Sequence, residues 1–411
     1  METMKRLLLV SPTTGYQARA FVDSAQRLGV ELVLATDRCH VLDDPWGDRA
    51  IPLRFENPVE AARTLAEQAR VDGIVALGDR QAHIAALAAE QMGVRYNSPA
   101  STQAARDKFL AHSCFRAAGL PVADFFRAEV ERGAASAADR ASFPCVLKPL
   151  GLSASRGVIR ANDRTEFIAA FDRIARLLDD PEIARLGDEQ RRFIQIENFI
   201  EGREFALEGI LSAGSLRVLA LFDKPDPLDG PYFEETVYVT PSRETAGTQR
   251  EIIHATQQAI QALGLTEGPV HAEMRVNSRG VWMLEVAARP IGGLCARVLP
   301  GLEELILRHA AGEDISSIRL PGDSAGAMMI PIPREGIYVD IEGVDEARSV
   351  AHVEDVVITA KPGQKLVPLP EGNSYLGFIF TRADTPGAAE HALRLAHERL
   401  RFEITSALPV I

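Results

Sequence analysis

Short apolar runs alternate with longer amphipathic stretches over the first hundred residues. Residues 7–10, 32–35 and 73–76 are predicted strands, and residues 17–28, 59–70 and 81–92 are predicted helices. Strands that alternate with helices in this way form a parallel sheet with crossover helices, so the pattern predicts a small Rossmann-like layer. Its first turn, at residues 11–15, lacks the GxGxxG spacing, and the sequence contains no GxxxxGK[ST]. Neither a dinucleotide-binding fold nor a P-loop is therefore indicated.

The middle and the end of the chain show different patterns. Ser98 and Pro99 are typical of a helix start, and the predicted helix carries Lys108 and ends near Gly119. Later strands are predicted near residues 327–331, 337–341, 353–359 and 374–380, followed by a helix near 388–400. The sequence thus predicts an α/β and α+β multidomain protein. Its predicted parts are a Rossmann-like domain at residues 1–100, a central domain at 101–312 and a separate C-terminal α+β unit at 313–411.

Residues 271–289 contain the most informative pattern, a predicted hairpin. A three-residue loop at 278–280, with Gly280 at the positive-φ position, would pair Asn277 with Val281 and bring Glu273 directly opposite Glu285. The even positions are apolar and are predicted to face the core: Ala272, Met274, Val276, Trp282, Leu284 and Val286. The other face then carries His271, Glu273, Arg275, Glu285 and Arg289.

Two glutamates that face each other across a strand pair repel unless a cation lies between them. Hard divalent ions such as Mg²⁺ prefer carboxylate oxygens, so Glu273 and Glu285 are candidate metal ligands. The alternative is that Arg275 or Arg289 neutralises the pair on a solvated sheet face. The hairpin alone leaves both interpretations open.

A flexible Gly/Ser loop follows the predicted strand that ends at Lys148. It contains Ser153, Ser155 and Gly157, and such a loop can fold over phosphates and offer them backbone N–H groups and hydroxyls. The plain alternative is a connection between two strands, which is what most Gly/Ser loops are. The lysine at the base of the loop favours the phosphate interpretation.

Residues 193–211 are predicted to form a strand, a tight turn at Gly202 and a second strand. An extended linker between two lobes can present backbone groups and an apolar wall to adenine, and Glu204 could accept the ribose hydroxyls. The alternative is an edge strand with exposed glutamates.

Composition narrows the functional classes. The 411 residues carry a formal net charge of −12 without any Lys/Arg-rich run, which argues against nucleic-acid binding and favours small-molecule chemistry. The four cysteines, Cys39, Cys114, Cys145 and Cys295, show no CxxC spacing, so neither a zinc site nor a disulfide framework is indicated. No signal-peptide pattern and no apolar run of about 18 residues is found, so a cytoplasmic location without a membrane span is expected.

Taken in order, these motifs resemble the ATP-grasp superfamily. The series consists of a first lysine, Lys108; a second lysine before a Gly/Ser loop, Lys148; the hinge from Glu197 to Glu204; and the glutamates Glu273 and Glu285 followed by Arg289. The resemblance extends over roughly residues 1–300. It implies a central domain of two lobes, the smaller at about residues 122–200, that binds ATP.

The resemblance also implies roles for individual residues. Lys108 and Lys148, with the loop residues Ser153, Ser155 and Gly157, would hold the phosphates. Adenine would be bound by Glu197, Asn198, Phe199 and Ile200, and the ribose by Glu204. Glu273 and Glu285 would ligate Mg²⁺, with Mn²⁺ as an alternative ion. Arg289, Gly292 and Gly293 would face the transferred phosphoryl group and the acyl oxygen.

Three further assignments involve the substrates. Residues 230–238 are similar to the family segment that meets the amino-acid substrate, so Glu235 and Tyr238 are candidates, and Glu235 could hold an ammonium. The alternative for Glu235 is an exposed strand end. His271 could deprotonate the attacking amine, or it could be a structural residue held by a hydrogen bond.

Within the superfamily, residues 268–273 and 284–293 are most similar to L-amino acid ligases, which make dipeptides. Many other relatives have Asn where this chain has Ala287. The resemblance therefore implies an ATP-dependent ligase that joins a small-molecule carboxylate, such as an L-amino acid, to an amine through an acyl phosphate. The alternatives are a biotin-carboxylase-like or purine-pathway ligase and a non-catalytic nucleotide-binding regulatory protein. A homodimer is compatible with each of these.

Overall fold

The computed structural model describes residues 4–13, 15, 17–37 and 50–406, and Cys39 lies outside these ranges. The N-terminal part is a four-stranded parallel sheet with helices. Its elements are β1 (Arg6–Val10), α1 (Ala18–Leu28), β2 (Glu31–Thr36), β3 (Ile51–Pro52), α2 (Pro58–Gln68), β4 (Gly73–Ala76) and α3 (Asp79–Met92). The strand order is β3-β2-β1-β4, and every pair is parallel. The predicted Rossmann-like layer is confirmed.

The segment after this sheet consists of two helices, α4 (Pro99–Arg106) and α5 (Lys108–Ala117). Ser98 caps the first helix with Pro99 at its first position, as predicted. The prediction of one continuous helix is wrong, because Asp107 has an extended backbone and its side chain accepts hydrogen bonds from Phe109 N and Leu110 N. Aspartate is a strong N-cap, so a new helix starts at Lys108.

The next segment is an antiparallel sheet covered by helices. Its elements are β5 (Phe125–Glu129), α6 (Ala134–Ala138), β6 (Cys145–Pro149), β7 (Ile159–Ala161), α7 (Arg164–Leu178), α8 (Pro181–Ala184) and β8 (Phe193–Asn198). The strand order is β5-β8-β6-β7. Phe167, Phe171 and Ile174 on one face of α7 pack against Leu147 and Ile196 of the sheet, so this lobe has its own core.

An eight-stranded sheet forms the centre of the molecule. The elements that follow β8 are β9 (Arg203–Ser212), β10 (Ser215–Lys224), β11 (Val237–Thr240), α9 (Ala246–Leu263), β12 (Gly268–Asn277), β13 (Gly280–Ala287) and α10 (Leu302–Ala310). The C-terminal segment adds β14 (Ser324–Ile330), β15 (Gly336–Glu342), α11 (Val344–Arg348), β16 (Val353–Ile358), β17 (Lys365–Leu366), β18 (Gly377–Ala383), α12 (Pro386–Arg399) and β19 (Arg401–Thr405).

The sheet order is β13-β12-β9-β10-β11-β14-β18-β16, so three strands of the C-terminal segment extend the central sheet. The C-terminal α+β unit therefore shares a sheet with the central part of the chain. β11 and β14 pair in register from Val237 with Met328 to Thr240 with Ala325. A further three-stranded sheet, in the order β17-β15-β19, is formed within the C-terminal segment. The exact domain boundaries at residues 100 and 312 stay predictions.

The hairpin of β12 and β13 differs from the prediction in its loop but not in its key pair. Asn277 pairs with Gly280, so the loop has two residues, Ser278 and Arg279, rather than three. A register shift follows Glu273, and Glu273 still lies opposite Glu285. The bulge thus compensates for the shorter loop.

The changed register also alters which side chains of the second strand are in the core. Val281 and Met283 are buried in the core, whereas Trp282 and Leu284 are only half-buried. The prediction that Trp282 and Leu284 lie in the core is therefore wrong. The same prediction for Ala272, Met274 and Val276 on β12 is confirmed. Leu284 faces the central cavity instead.

Candidate active site

A cavity of about 580 Å³ lies between the parallel sheet, the antiparallel lobe, the central sheet and the C-terminal segment. Gly157 and Asn198 are not among its described lining residues; Gly157 N donates to Pro370 O at 2.8 Å and Asn198 N to Asp124 O at 3.0 Å. The other predicted site residues line it: Lys108, Lys148, Ser153, Ser155, Glu197, Phe199, Ile200, Glu204, Glu235, Tyr238, His271, Glu273, Glu285, Arg289, Gly292 and Gly293.

Two lysines, Lys108 and Lys148, line the cavity. Lys148 lies 2.5 Å from Glu197 Oε1, and Lys108 donates to Leu152 O at 2.7 Å. Lys108 is also 3.6 Å from Glu285 Oε2, so it joins the Gly/Ser loop to the glutamate pair. Both ammonium groups therefore lie where an anion in this part of the cavity would meet them.

The Gly/Ser loop has an unusual backbone. Ala154, Ser155 and Gly157 have φ values of 55°, 54° and 76°, in the left-handed region. Non-glycine residues rarely adopt this region, and such strain is concentrated at functional sites. The N–H groups at the end of the loop are already used, since Arg156 N donates to Ser153 O, Gly157 N to Pro370 O and Val158 N to Ser155 O.

Glu197 is a buried partner of Lys148. Burial alone would raise the pKa of Glu197, but Lys148 and His112 outweigh it and hold that pKa below its usual range. Gln195 Nε2 also donates to Glu197 Oε2 at 2.8 Å. The Glu197 carboxylate therefore orients Lys148, and the hinge contributes the apolar side chains of Phe199 and Ile200 to the lining of the cavity.

Lys224, which sequence reasoning missed, is the centre of the charged part of the site. Its ammonium is 2.9 Å from Glu204 Oε1, 2.7 Å from Glu235 Oε1 and 3.2 Å from Glu273 Oε1. Burial would lower the pKa of Lys224, but the carboxylates, Glu235 first, raise it well above its usual range. A lysine at the end of the apolar strand β10 was the sequence signal that could have identified it.

Glu204 is held by two cations rather than facing the cavity freely. Its second oxygen accepts from Arg275 Nε at 2.9 Å, and Arg275 also donates to Ile200 O at 2.6 Å. This arrangement ties the hinge to β12. The predicted contact with a ribose therefore has to use an oxygen that Lys224 or Arg275 already contacts.

His271 contacts a carboxylate through each ring nitrogen. Nδ1 is 3.1 Å from Glu208 Oε2, and Nε2 is 3.3 Å from Glu273 Oε1. Burial would lower the pKa of His271, but Glu208 and Glu273 raise it to about 9. A protonated imidazole that donates to two carboxylates is not a free base, so the contacts favour the structural alternative for His271.

Arg289 links the central sheet to the parallel sheet. Its Nε donates to Asp79 Oδ1 at 3.0 Å, and Asp79 is the first residue of α3. Burial would lower the pKa of Arg289, but Asp79 and Glu285 raise it, so the guanidinium keeps its charge. Asp79 was not predicted from the sequence, because its partner is 210 residues away.

The glutamate pair fits a divalent metal ion chemically. Glu273 and Glu285 both line the cavity, and their oxygens are the hard donors that Mg²⁺ prefers. Glu273 uses Oε1 for Lys224 and His271. Oxygens of Glu204, Glu235 and Glu273 also lie within 4.8 Å of one another, but the Lys224 ammonium already contacts all three. Glu273 belongs to both sets and Glu285 contacts Lys108, so a metal ion in either set would share carboxylate oxygens with a lysine.

Within the described residues, no helix is both long enough and apolar enough to cross a membrane.

Comparison with known proteins agrees with this geometry. Residues 141–298 match the family model of the ATP-grasp domain, and residues 328–405 match the L-amino acid ligase C-terminal domain 2. The crystal structure of L-amino acid ligase from Bacillus licheniformis superposes with a TM-score of 0.84 at 25% identity, covering 99% of this chain and 100% of that chain.

Two further relatives are informative. Alanine–anticapsin ligase of Bacillus subtilis is 26% identical over 58% of this chain, and the match spans 52% of that ligase. A carboxyaminoimidazole ribonucleotide synthase from Aspergillus clavatus, solved in complex with ATP, has the same fold with a TM-score of 0.72 at 18% identity, covering 97% and 99% of the two chains. Residues 141–298 thus match the ATP-grasp domain, and the chain is similar to an L-amino acid ligase over almost its whole length.

Proposed function

We propose that the protein is an ATP-dependent ligase that activates the carboxylate of one L-amino acid as an acyl phosphate and joins it to the amine of a second. The observation that carries this proposal is the arrangement of Glu273 and Glu285 opposite each other, with Lys108 and Arg289 beside them in one cavity.

The chemistry requires such a concentration of charge. A carboxylate does not react with an amine at neutral pH, because oxide would have to leave. Transfer of a phosphoryl group from ATP provides a better leaving group, and catalysis of that transfer consists mainly of positioning and electrostatic stabilisation. Lys108, Lys148 and Arg289 supply positive charge for the phosphates and the carboxylate.

Glu273 and Glu285 would hold Mg²⁺, which would supply positive charge to offset the charge of the phosphates. Ala287 is buried and has no side-chain donor, so the metal set is expected to contain these two glutamates only. The loop at residues 151–158 would cover the phosphates, and Phe199 and Ile200 would form the adenine wall. Mn²⁺ as a substitute ion, a homodimer and a cytoplasmic location stay predictions.

The proposal is tested by phosphate release from ATP and Mg²⁺ with L-amino acids offered singly and in pairs, together with mass spectrometry of the products. Phosphate release that depends on amino acids and yields a new amide mass supports the ligase. Release that depends on bicarbonate would favour a carboxylase. ATP binding without turnover on any carboxylate would favour a regulatory protein.

A single substitution tests the metal assignment. Glu285→Gln removes one anionic oxygen from the predicted pair and should lower turnover at least about 1,000-fold, while the melting temperature stays within about 3 °C of the wild type. Glu342→Gln, on an exposed position of β15, is the matched control and should keep normal turnover. Near-normal turnover by Glu285→Gln would refute the metal assignment.

A further inference from the structure

The turn that follows β13 and carries Arg289 and Gly292 is held by its backbone at Ile291. Ile291 is 2% exposed and lies outside any helix or strand. Its N–H donates to both carboxyl oxygens of Glu208, at 3.2 and 3.1 Å, and its C=O accepts from Gln17 Nε2. Buried backbone groups of a loop need such partners, so these two side chains fix this point of the turn. We call Glu208 and Gln17 the Ile291 clamp.

The two members of the clamp come from different parts of the molecule. Glu208 lies on β9 of the central sheet, and Gln17 directly precedes α1 beside the parallel sheet. Asp79, at the start of α3, binds the side chain of Arg289. The turn therefore has its backbone and its arginine side chain fixed by separate contacts, and two of these contacts come from the N-terminal part.

Glu208 also connects the turn to the strand that carries Glu273. The pairing of β9 with β12 places Glu208 opposite His271, and Glu208 Oε2 lies 3.1 Å from His271 Nδ1. The other ring nitrogen of His271 is 3.3 Å from Glu273 Oε1. One carboxyl group thus contacts both the turn of Arg289 and the histidine that contacts Glu273.

The core of the protein does not require a carboxyl group at position 208. The neighbours of Glu208 on the same face of β9 are Ala206 and Ile210, and both pack in a hydrophobic cluster. Glu208 is 0% exposed, and a carboxyl group in such a place is costly unless it is hydrogen-bonded. Replacing a buried ionic group by a well-packed apolar one is often neutral or stabilising. Because Glu208 is not among the described lining residues of the cavity, the use of its carboxyl group lies in the contacts with Ile291 and His271.

We propose that Glu208 and Gln17 are positioning residues for the phosphoryl transfer. Through the Ile291 peptide they place Arg289 and the Gly292 backbone relative to the glutamate pair. The inference rests on the proposed ligase function and adds two residues to it. Transfer depends on the placement of the reacting groups, so loss of either contact lowers kcat. The KM for ATP should change little, because the two lysines and the hinge are not part of the clamp.

The first test compares kcat and KM for ATP, using the pair of L-amino acids that gives the fastest phosphate release with the wild type. Glu208→Leu removes the acceptor and should lower kcat at least about 100-fold while KM for ATP stays within about threefold. Glu267→Leu is the matched control. The Glu267 carboxylate also accepts from a backbone N–H, that of Ala213 at 3.2 Å, lies 3.4 Å from His309 Nε2, and is not among the described lining residues. Its variant should keep kcat within about threefold of the wild type.

Gln17→Met tests the other half of the clamp with a smaller change and decides the question if Glu208→Leu does not fold. It should lower kcat at least about tenfold, again with little change in KM for ATP. Gln257→Met is its control, because Gln257 binds a different turn through Leu216 N and Gly214 O, at 2.8 and 3.0 Å. Wild-type kcat in Gln17→Met or in a folded Glu208→Leu would overturn the inference.

The double variant separates positioning from direct contact with a substrate, since Gln17 lines the cavity. If Gln17 and Glu208 act through one peptide, losing the second contact adds little once the first is lost. Gln17→Met should then lower kcat by less than about threefold in the Glu208→Leu background. An equal factor in both backgrounds would overturn the inference and leave the ligase function standing. A wild-type protein without amino-acid-dependent phosphate release would overturn both.

Discussion

At the scale of single residues, Lys224 has the most concentrated set of contacts in the site. Its ammonium contacts Glu204 of the hinge, Glu235 just before β11 and Glu273 of the glutamate pair. It is a positioning residue, since it does not itself line the cavity among the described residues. The buried ammonium of Lys224 thus holds the carboxylates of Glu204, Glu235 and Glu273 close to one another.

Lys224→Met is expected to destabilise the protein by about 3 kcal/mol, because it leaves buried carboxylates without their cation. Turnover should fall at least about 100-fold, since Glu235 and Glu273 lose their fixed positions. The free energy of unfolding is measured by urea titration, and turnover by phosphate release.

Lys5→Met is the matched control, because Lys5 is exposed and forms its ion pair with Asp72 at the surface. This variant should change stability by less than about 0.5 kcal/mol and should keep wild-type turnover. If Lys224→Met proved as stable as Lys5→Met, the account of Lys224 as an obligatory counter-ion would be wrong.

His112 provides a prediction about pH. Burial lowers the pKa of His112 to about 4, against the opposing effect of Glu197, and Gln195 Nε2 lies 2.6 Å from its Nδ1. Because the unfolded chain takes up this proton near pH 6.5 and the folded chain only near pH 4, stability should fall as the pH drops through that interval.

The contribution of His112 to this loss is expected to reach about 3 kcal/mol at pH 4. His112→Leu should therefore show a smaller loss of unfolding free energy between pH 6.5 and pH 4 than the wild type. His391→Leu, on the exposed face of α12, is the control and should follow the wild type. If the unfolding free energy of all three proteins fell equally between pH 6.5 and pH 4, His112 would not be a neutral buried residue.

The sequence identified residues that carry a motif and missed those that act through a distant partner. Lys108, Lys148, Glu273 and Glu285 were recognisable because their spacing along the chain fits a pattern. Asp79, Lys224 and Glu208 had no such pattern, since each is defined by a contact with a residue on another strand or sheet. Such contacts follow from tertiary packing, which a single sequence does not encode locally.

At the scale of elements, the break between α4 and α5 determines the position of Lys108, because α5 begins at this residue. Asp107 caps α5 and also accepts from Gln190 Nε2 at 2.8 Å, which ties the helix start to the antiparallel lobe. Lys108 is the first residue of α5, and its N–H donates to Leu150 O at the base of the Gly/Ser loop. The cap therefore determines where the lysine ammonium can reach.

Asp107→Ala should lower stability by about 1 to 2 kcal/mol and raise KM for ATP several-fold, because the start of α5 loses its cap. Asp163→Ala is the matched control: Asp163 caps α7 with the same pair of backbone hydrogen bonds and does not line the cavity. Its variant should lose similar stability without a change in KM for ATP. Equal KM values for ATP in the two variants would contradict the prediction that the Asp107 cap positions Lys108 in the site.

The hairpin shows how far periodicity predicts an element. Alternation of apolar and charged residues identified β12 and β13 and the opposed glutamates. The loop length was wrong because Gly280, with a φ of 116°, pairs with Asn277 instead of lying in the loop. A bulge cannot be read from alternation, since it changes the register by one residue without changing composition.

At the scale of the whole molecule, the cavity exists because the parallel sheet, the antiparallel lobe, the central sheet and the C-terminal segment converge on it. Arg289 reaches Asp79 of the parallel sheet, and Arg173 of the antiparallel lobe forms an ion pair with Glu371 of the C-terminal segment. Arg156 in the Gly/Ser loop also donates to Glu371 O at 2.7 Å. The sequence predicted three domains but not that the C-terminal strands would continue the central sheet, because strand pairing across β11 and β14 is non-local.

The account of the whole molecule depends on one chemical claim, that the carboxylate becomes an acyl phosphate. The direct measurement uses an L-amino acid substrate labelled with ¹⁸O in its carboxylate, together with ATP, Mg²⁺ and an amine. The account predicts ADP and inorganic phosphate that carries one ¹⁸O atom for each amide formed. Label in AMP with release of pyrophosphate, or phosphate without label, would contradict it.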